Sequence, residues 1–167
     1  MIKMNILKTL VDIVWIFSIP LILIIVFAIP AVFFIDFGDL PITINGLDLT
    51  FNDTFSKSLG SLAIFSYLLV MASLYLFKTT LRYFRRVKMF DIMVIKNFNR
   101  IGILLIASGA ILGISTFLLR TIYQQRVEFS IGLSPFFLLL GFGLFFMVLS
   151  ETFKIAKVAK EENDLTV

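Results

Sequence analysis

The hydrophobic positions of this chain gather into four long runs that contain no Asp, Glu, Lys or Arg. Residues 13–35 lie between Asp12 and Asp36, 58–77 between Lys57 and Lys78, 101–119 between Arg100 and Arg120, and 129–150 between Glu128 and Glu151. A bilayer core about 30 Å thick is crossed by roughly 20 helical residues at about 1.5 Å each. Every run meets that length, so the pattern predicts an all-α membrane protein built as a four-transmembrane-helix bundle. The first run exceeds the roughly 7–15 apolar residues of a secretory signal and is expected to be retained.

The polar connections predict the orientation. Lys3 and Lys8 precede the first run, and Lys154, Lys157 and Lys160 follow the last. The second connection holds Lys78, Arg82, Arg85, Arg86, Lys88, Lys96 and Arg100. The first carries only Lys57, and the third only Arg120 and Arg126. Short segments rich in Lys and Arg stay cytoplasmic. Both termini and residues 78–100 are therefore expected inside, with 36–57 and 120–128 outside.

Finer patterns place smaller elements. Ile42, Thr43 and Ile44, then Asn45 and Gly46, then the alternation of Leu47, Asp48, Leu49, Thr50 and Phe51 predict an extracytoplasmic β-hairpin over about 41–52. Asn-Gly suits the positive φ angles of a type I′ turn. So small a hairpin is marginal in water, and residues 125–130 are expected to add a strand. Asp36, Asp39, Asp48 and Asp53 lack the spacing of a calcium loop and read as solvated carboxylates. In the first helix, Pro20 and Pro30 are expected to introduce kinks. Ahead of Trp15, Ile2, Ile6, Leu10 and Val14 recur every four residues and predict a segment lying on the membrane before it turns in.

The second helix is predicted from Ser58 to about Lys88, well past the hydrocarbon core. Lys78, Arg82, Arg85 and Arg86 fall on one of its faces. Asp91 is expected to cap a helix leading into the third run, which makes 78–100 a cytoplasmic helical hairpin. Gly102, Gly109 and Gly113 share a face of that helix. The last two form a GxxxG, which permits close helix packing. In the fourth run Pro135 is tolerated in the first turns, and Gly141 and Gly143 offer a second close approach. The cytoplasmic tail, 151–167, continues as helix and then turns acidic through Glu161, Glu162 and Asp164.

Composition narrows the chemistry. Hydrophobic residues make up 59% and charged residues 16% of the chain, Phe occurs 20 times, and mean hydropathy is +1.02. The net charge of +4 is accounted for by the topogenic lysines and arginines, so no direct nucleic-acid binding is expected. The absence of Cys and His excludes disulfides, Cys/His metal sites and His-based acid–base pairs. No cofactor or metal site is expected. The close acid–base pairs, Arg126 with Glu128 and Asp91 with Lys96, read as an interfacial ion pair and a helix cap, so an enzyme is not expected.

Two segments carry a family resemblance. Phe90 and Asp91, followed by Val94, Asn97, Arg100, Ile101 and Gly102, form one. The ending Ala159, Lys160, Glu161, Glu162, Asn163, Asp164, Leu165, Thr166, Val167 forms the other. Together with the four-span layout they resemble the bacterial membrane proteins grouped as domain of unknown function 2975. The resemblance implies an inner-membrane protein encoded beside a small Cro/C1-type helix-turn-helix regulator, and it carries over no catalytic residues. The functional expectation is a non-enzymatic signalling or regulatory partner of that regulator. Lys78, Arg82, Arg85, Arg86, Glu161, Glu162 and Asp164 would form its binding face, while Gly102, Gly109 and Gly113 would pack the helices. The alternative is a transporter or channel subunit, which the absence of charge within the spans disfavours. Self-association into a homo-oligomer is the remaining partner expectation.

Overall fold

Four helices, each of 30 to 33 residues, carry the architecture. A computed structural model describes residues 2–34, 42–44, 47–49, 53–85, 91–123 and 134–164. In order these form α1 (Ile2–Phe34), β1 (Ile42–Ile44), β2 (Leu47–Leu49), α2 (Thr54–Arg85), α3 (Ile92–Tyr123) and α4 (Pro135–Asp164). All four helices are long and apolar enough to cross a membrane. The chain is a multi-pass membrane protein.

Each helix is longer than its uncharged run and extends past it at one end or both, and local chemistry sets several of the ends. Asp53 starts α2 four residues earlier than the charge pattern indicates. Its carboxylate accepts from the Ser56 amide at 3.3 Å, and the Ser56 hydroxyl in turn donates to the Asp53 carbonyl at 2.9 Å. Lys57 then sits inside the first turn, which a long cationic side chain tolerates at a membrane surface. Asp91 caps α3, its carboxylate accepting from the Met93 amide at 2.8 Å. Helix α4 begins at Pro135. Ser134 occupies the cap, and Pro135 takes the first helical position, where its missing N–H costs nothing. Residues 129–133 of the expected span, and the strand expected over 125–130, lie outside the described residues.

Helix α1 corrects the expectation of a surface segment that turns in at Trp15, because it is continuous from Ile2 to Phe34 through both prolines. The prolines leave the carbonyls of Ile16 and Val26 without their helical donors. The row Ile6, Leu10 and Val14 is simply the first turns of the same helix. Strands β1 and β2 pair antiparallel, with Ile42 opposite Leu49 and Ile44 opposite Leu47. Three-residue strands are too short to stand alone in water, and β2 lies against α3.

Helix α3 is the centre of the bundle, packed against α2 on one side and α4 on the other, while α1 packs against α2. The core is Val94, Phe98, Ile101 and Leu105 of α3, ringed by Phe77 and Phe84 of α2 and Phe146 and Phe153 of α4. Edge and tilted ring contacts at 5.5–5.9 Å tie Phe98 to Phe84 and Phe153, and Phe84 to Phe153. The three helices thus meet around one aromatic cluster near the end that carries both chain termini. Offset and edge-on rings of this kind hold beyond their buried area.

The α2–α3 seam is built from small polar residues. Ser66, Ser73 and Thr80 recur every seven residues on α2, and Ser108 and Ser115 do so on α3; all five are buried. The seven-residue repeat is the spacing of helices packed at a shallow left-handed angle. Each α2 hydroxyl is satisfied by a carbonyl one turn back, as when Thr80 donates to Leu76 at 2.8 Å. Across the seam the Ser108 hydroxyl donates to the Ser66 carbonyl at 2.8 Å, and the Asn97 side-chain amide to the Thr80 hydroxyl at 3.2 Å. On the other side of α3, the Ser150 hydroxyl of α4 donates to the Ile95 carbonyl at 2.8 Å.

Candidate functional site at the basic end of the bundle

Helices α1 and α2 run antiparallel, and their polar contacts form a regular ladder near the chain termini. The rings of Trp15 and Tyr75 meet at 5.2 Å. About one turn further out, Lys78 Nζ lies 3.2 Å from a carboxylate oxygen of Asp12 and 5.8 Å from the Trp15 ring centre. Lys8, one turn beyond on α1, also reaches Asp12, at 3.7 Å. Arg82, one turn beyond Lys78 on α2, lies close enough to act on the same carboxylate. The helix period generates the order: residues three or four apart share a face, so each step along α1 is matched by one on α2.

This arrangement divides the predicted basic face. Lys78 points into the α1–α2 seam, with only 16% of its side chain exposed, and is engaged by Asp12 and Trp15. It therefore offers no free docking charge. Arg82 is exposed. Arg85 is the last residue of α2, and Arg86 lies outside the described residues. Nothing in the pattern of α2 alone marks Asp12 as the partner of Lys78. The cue in the sequence is the carboxylate standing immediately before an uncharged run, where an unpaired charge is costly.

The acidic residues sit apart, on α4. Phe153 is level with Phe84, so the eleven residues that follow carry α4 about 16 Å further. Glu161, Glu162 and Asp164 are exposed on this extension. Glu161 pairs with Lys157 at 3.6 Å, and Glu151 with Lys154 at 3.8 Å. Ile155 and Val158 stand out between the charges at 68% and 49% exposure, and with Glu151, Lys154, Ala159 and Glu162 they line a shallow open groove. Leu165, Thr166 and Val167 lie outside the described residues.

The three glycines on α3 face α4. A Cβ on Gly102 would lie 2.6 Å from the Gly143 carbonyl oxygen, one on Gly109 3.2 Å from Leu139 Cβ, and one on Gly113 2.5 Å from the Phe136 ring. The serine seam between α2 and α3 had no counterpart among the expectations from sequence. Its signal was legible as Ser66, Ser73 and Thr80 at intervals of seven.

At the opposite end of the bundle, Asp53 is more than a solvated loop carboxylate. The Tyr123 hydroxyl, at the end of α3, donates to its two oxygens at 2.6 and 2.7 Å. That bond, followed by those from Ser56, holds the Asp53 carboxyl below its ordinary value of 3.8.

The chain finds no match among curated proteins or among solved structures. A family model does match, over residues 4–167, and it covers the cap at Asp91, the glycine face of α3 and the α4 extension alike. The chain belongs to the family described as protein of unknown function (DUF2975).

Proposed function

We infer that this protein is a non-enzymatic signalling or regulatory component of the bacterial inner membrane, with both termini in the cytoplasm. Its cytoplasmic end docks a small soluble DNA-binding regulator, and the paired strands on the far side sense conditions in the envelope. The observation that carries this reading is the α4 extension. A helix that needed only to cross the bilayer would end near Phe153, where the core ends. This one continues for about three turns and leaves Ile155 and Val158 exposed among charged residues. Apolar side chains outside the membrane, rimmed by charge, fit an amphipathic partner surface. The acidic end at Glu161, Glu162 and Asp164 complements the basic surface that a DNA-binding protein carries.

The test is co-purification of the full chain from mild detergent. A helix-turn-helix protein should accompany the wild type and be lost from the double variant Ile155→Asp, Val158→Asp, with retention falling as salt rises. Recovery of no such protein with the wild type would overturn the reading. Orientation is tested separately, because the chain has no native Cys. A Cys replacing Asp48 should react with an impermeant reagent added outside, and one replacing Lys160 should not.

A further inference from the structure

The ladder between α1 and α2 ends on a step of like charge. Trp15 faces Tyr75, then Asp12 faces Lys78, and the same antiparallel register places Lys8 and Arg82 on either side of the seam one turn further out. Three cations surround one carboxylate: Lys8 and Lys78 touch it, and Arg82 acts on it from nearby. Asp12 can neutralise one of them, so two positive charges remain beside one another at the mouth of the seam. An anion seated between two neighbouring cations relieves their repulsion, and does so most where water is scarce.

The level of this step in the membrane says which anion. Asp12 and Lys78 are the residues at which the uncharged runs of α1 and α2 begin and end. The Trp15 and Tyr75 rings lie one turn inward, at the depth that indole and phenol groups favour. The mouth of the seam is therefore level with the phosphate layer of the bilayer. We propose that Lys8 and Arg82, flanking the Lys78–Asp12 pair, form a binding site for the headgroup phosphate of an anionic phospholipid, seated between α1 and α2 with its acyl chains along the apolar flank of α1. Phe17, Ile24 and Phe27 of that helix are among its most exposed side chains. The site would fasten α1, which packs chiefly on α2, to the bundle. It stands independently of the docking role assigned to α4.

Native mass spectrometry of the full chain, titrated with phosphatidylglycerol or phosphatidylcholine in detergent, tests the site. Phosphatidylglycerol should bind selectively. The double variant Lys8→Gln, Arg82→Gln should bind it about 30-fold more weakly, from the free energy of roughly two surface cations. The control Lys154→Gln, Lys157→Gln should bind like the wild type. Asp12→Asn, which frees cationic charge, should bind more tightly, and this opposite sign separates the site from simple loss of folding. Inorganic phosphate in large excess should fail to displace the lipid. Equal binding of phosphatidylcholine, equal loss in both double variants, weaker binding by Asp12→Asn, or displacement by inorganic phosphate would each overturn the assignment.

Discussion

Gly102 of α3 and Gly143 of α4 occupy each other's side-chain space. A Cβ on Gly102 would lie 2.6 Å from the Gly143 carbonyl oxygen, and one on Gly143 would lie 2.9 Å from the Gly102 carbonyl oxygen. Both obstacles are backbone, which cannot rotate out of the way. Gly102→Ala and Gly143→Ala should each therefore destabilise the bundle by about 1–3 kcal/mol, as overpacking does. A Cβ on Gly141, two residues before Gly143, would meet nothing within 4 Å. Gly141→Ala should instead be neutral or stabilise by up to about 1 kcal/mol, through lower backbone entropy in the unfolded chain. Unfolding in mixed micelles, followed by circular dichroism, reads both signs.

The buried Asn97–Thr80 bond couples α2 to α3. Thr80→Val preserves shape but removes the acceptor of the Asn97 amide. A double-mutant cycle with Asn97→Leu should give a coupling of about 0.6 kcal/mol, and no more than about 1.7, the range for such bonds between membrane helices. A coupling of zero would mean that the two side chains do not share a bond in the folded bundle.

The Tyr123–Asp53 bond should make the stability of the bundle sensitive to acid. The folded carboxyl titrates below its ordinary 3.8, so the charged form is the one that folding favours. Its contribution is complete above pH 3.8 and is lost as pH falls through the lower folded value. Wild type and Tyr123→Phe should differ in melting temperature at neutral pH and converge in strong acid. Hydrogen exchange should rise at the start of α2 in the variant.

Insertion and packing can be separated on α3. Leu112 is buried in the bundle, whereas Ile114 is 61% exposed and faces lipid. Arg at either position should cost about 2.5–3.5 kcal/mol in a translocon insertion assay, which reads hydrophobicity alone. Leu112→Ala should destabilise the folded bundle by about 2 kcal/mol or more, while Ile114→Ala should change it by less than about 0.5 kcal/mol.

The alternation of charged and uncharged segments determined by itself that the chain has four membrane helices, because the cost of placing charge in hydrocarbon is a local property of each segment. Asp91 was legible as a cap for the same reason: a carboxylate ahead of free helical amides acts within one turn. The glycines of α3 were legible as residues that let helices approach. Which helix they meet was not, since α2 and α4 are equally apolar and only the packed bundle sets Gly102 against Gly143.

The residues that changed meaning are those whose partners lie far along the chain. Lys78 is one member of a basic face until α1 brings Asp12 and Trp15 to it from the other end of the chain's first half. Asp53 is a loop carboxylate until α3 delivers Tyr123, and the heptad serines of α2 acquire a role only when α3 lies against them. Hydropathy is summed along one helix and survives without the others. Ion pairing, close packing and shared hydrogen bonds are relations between helices, so tertiary structure alone decided them.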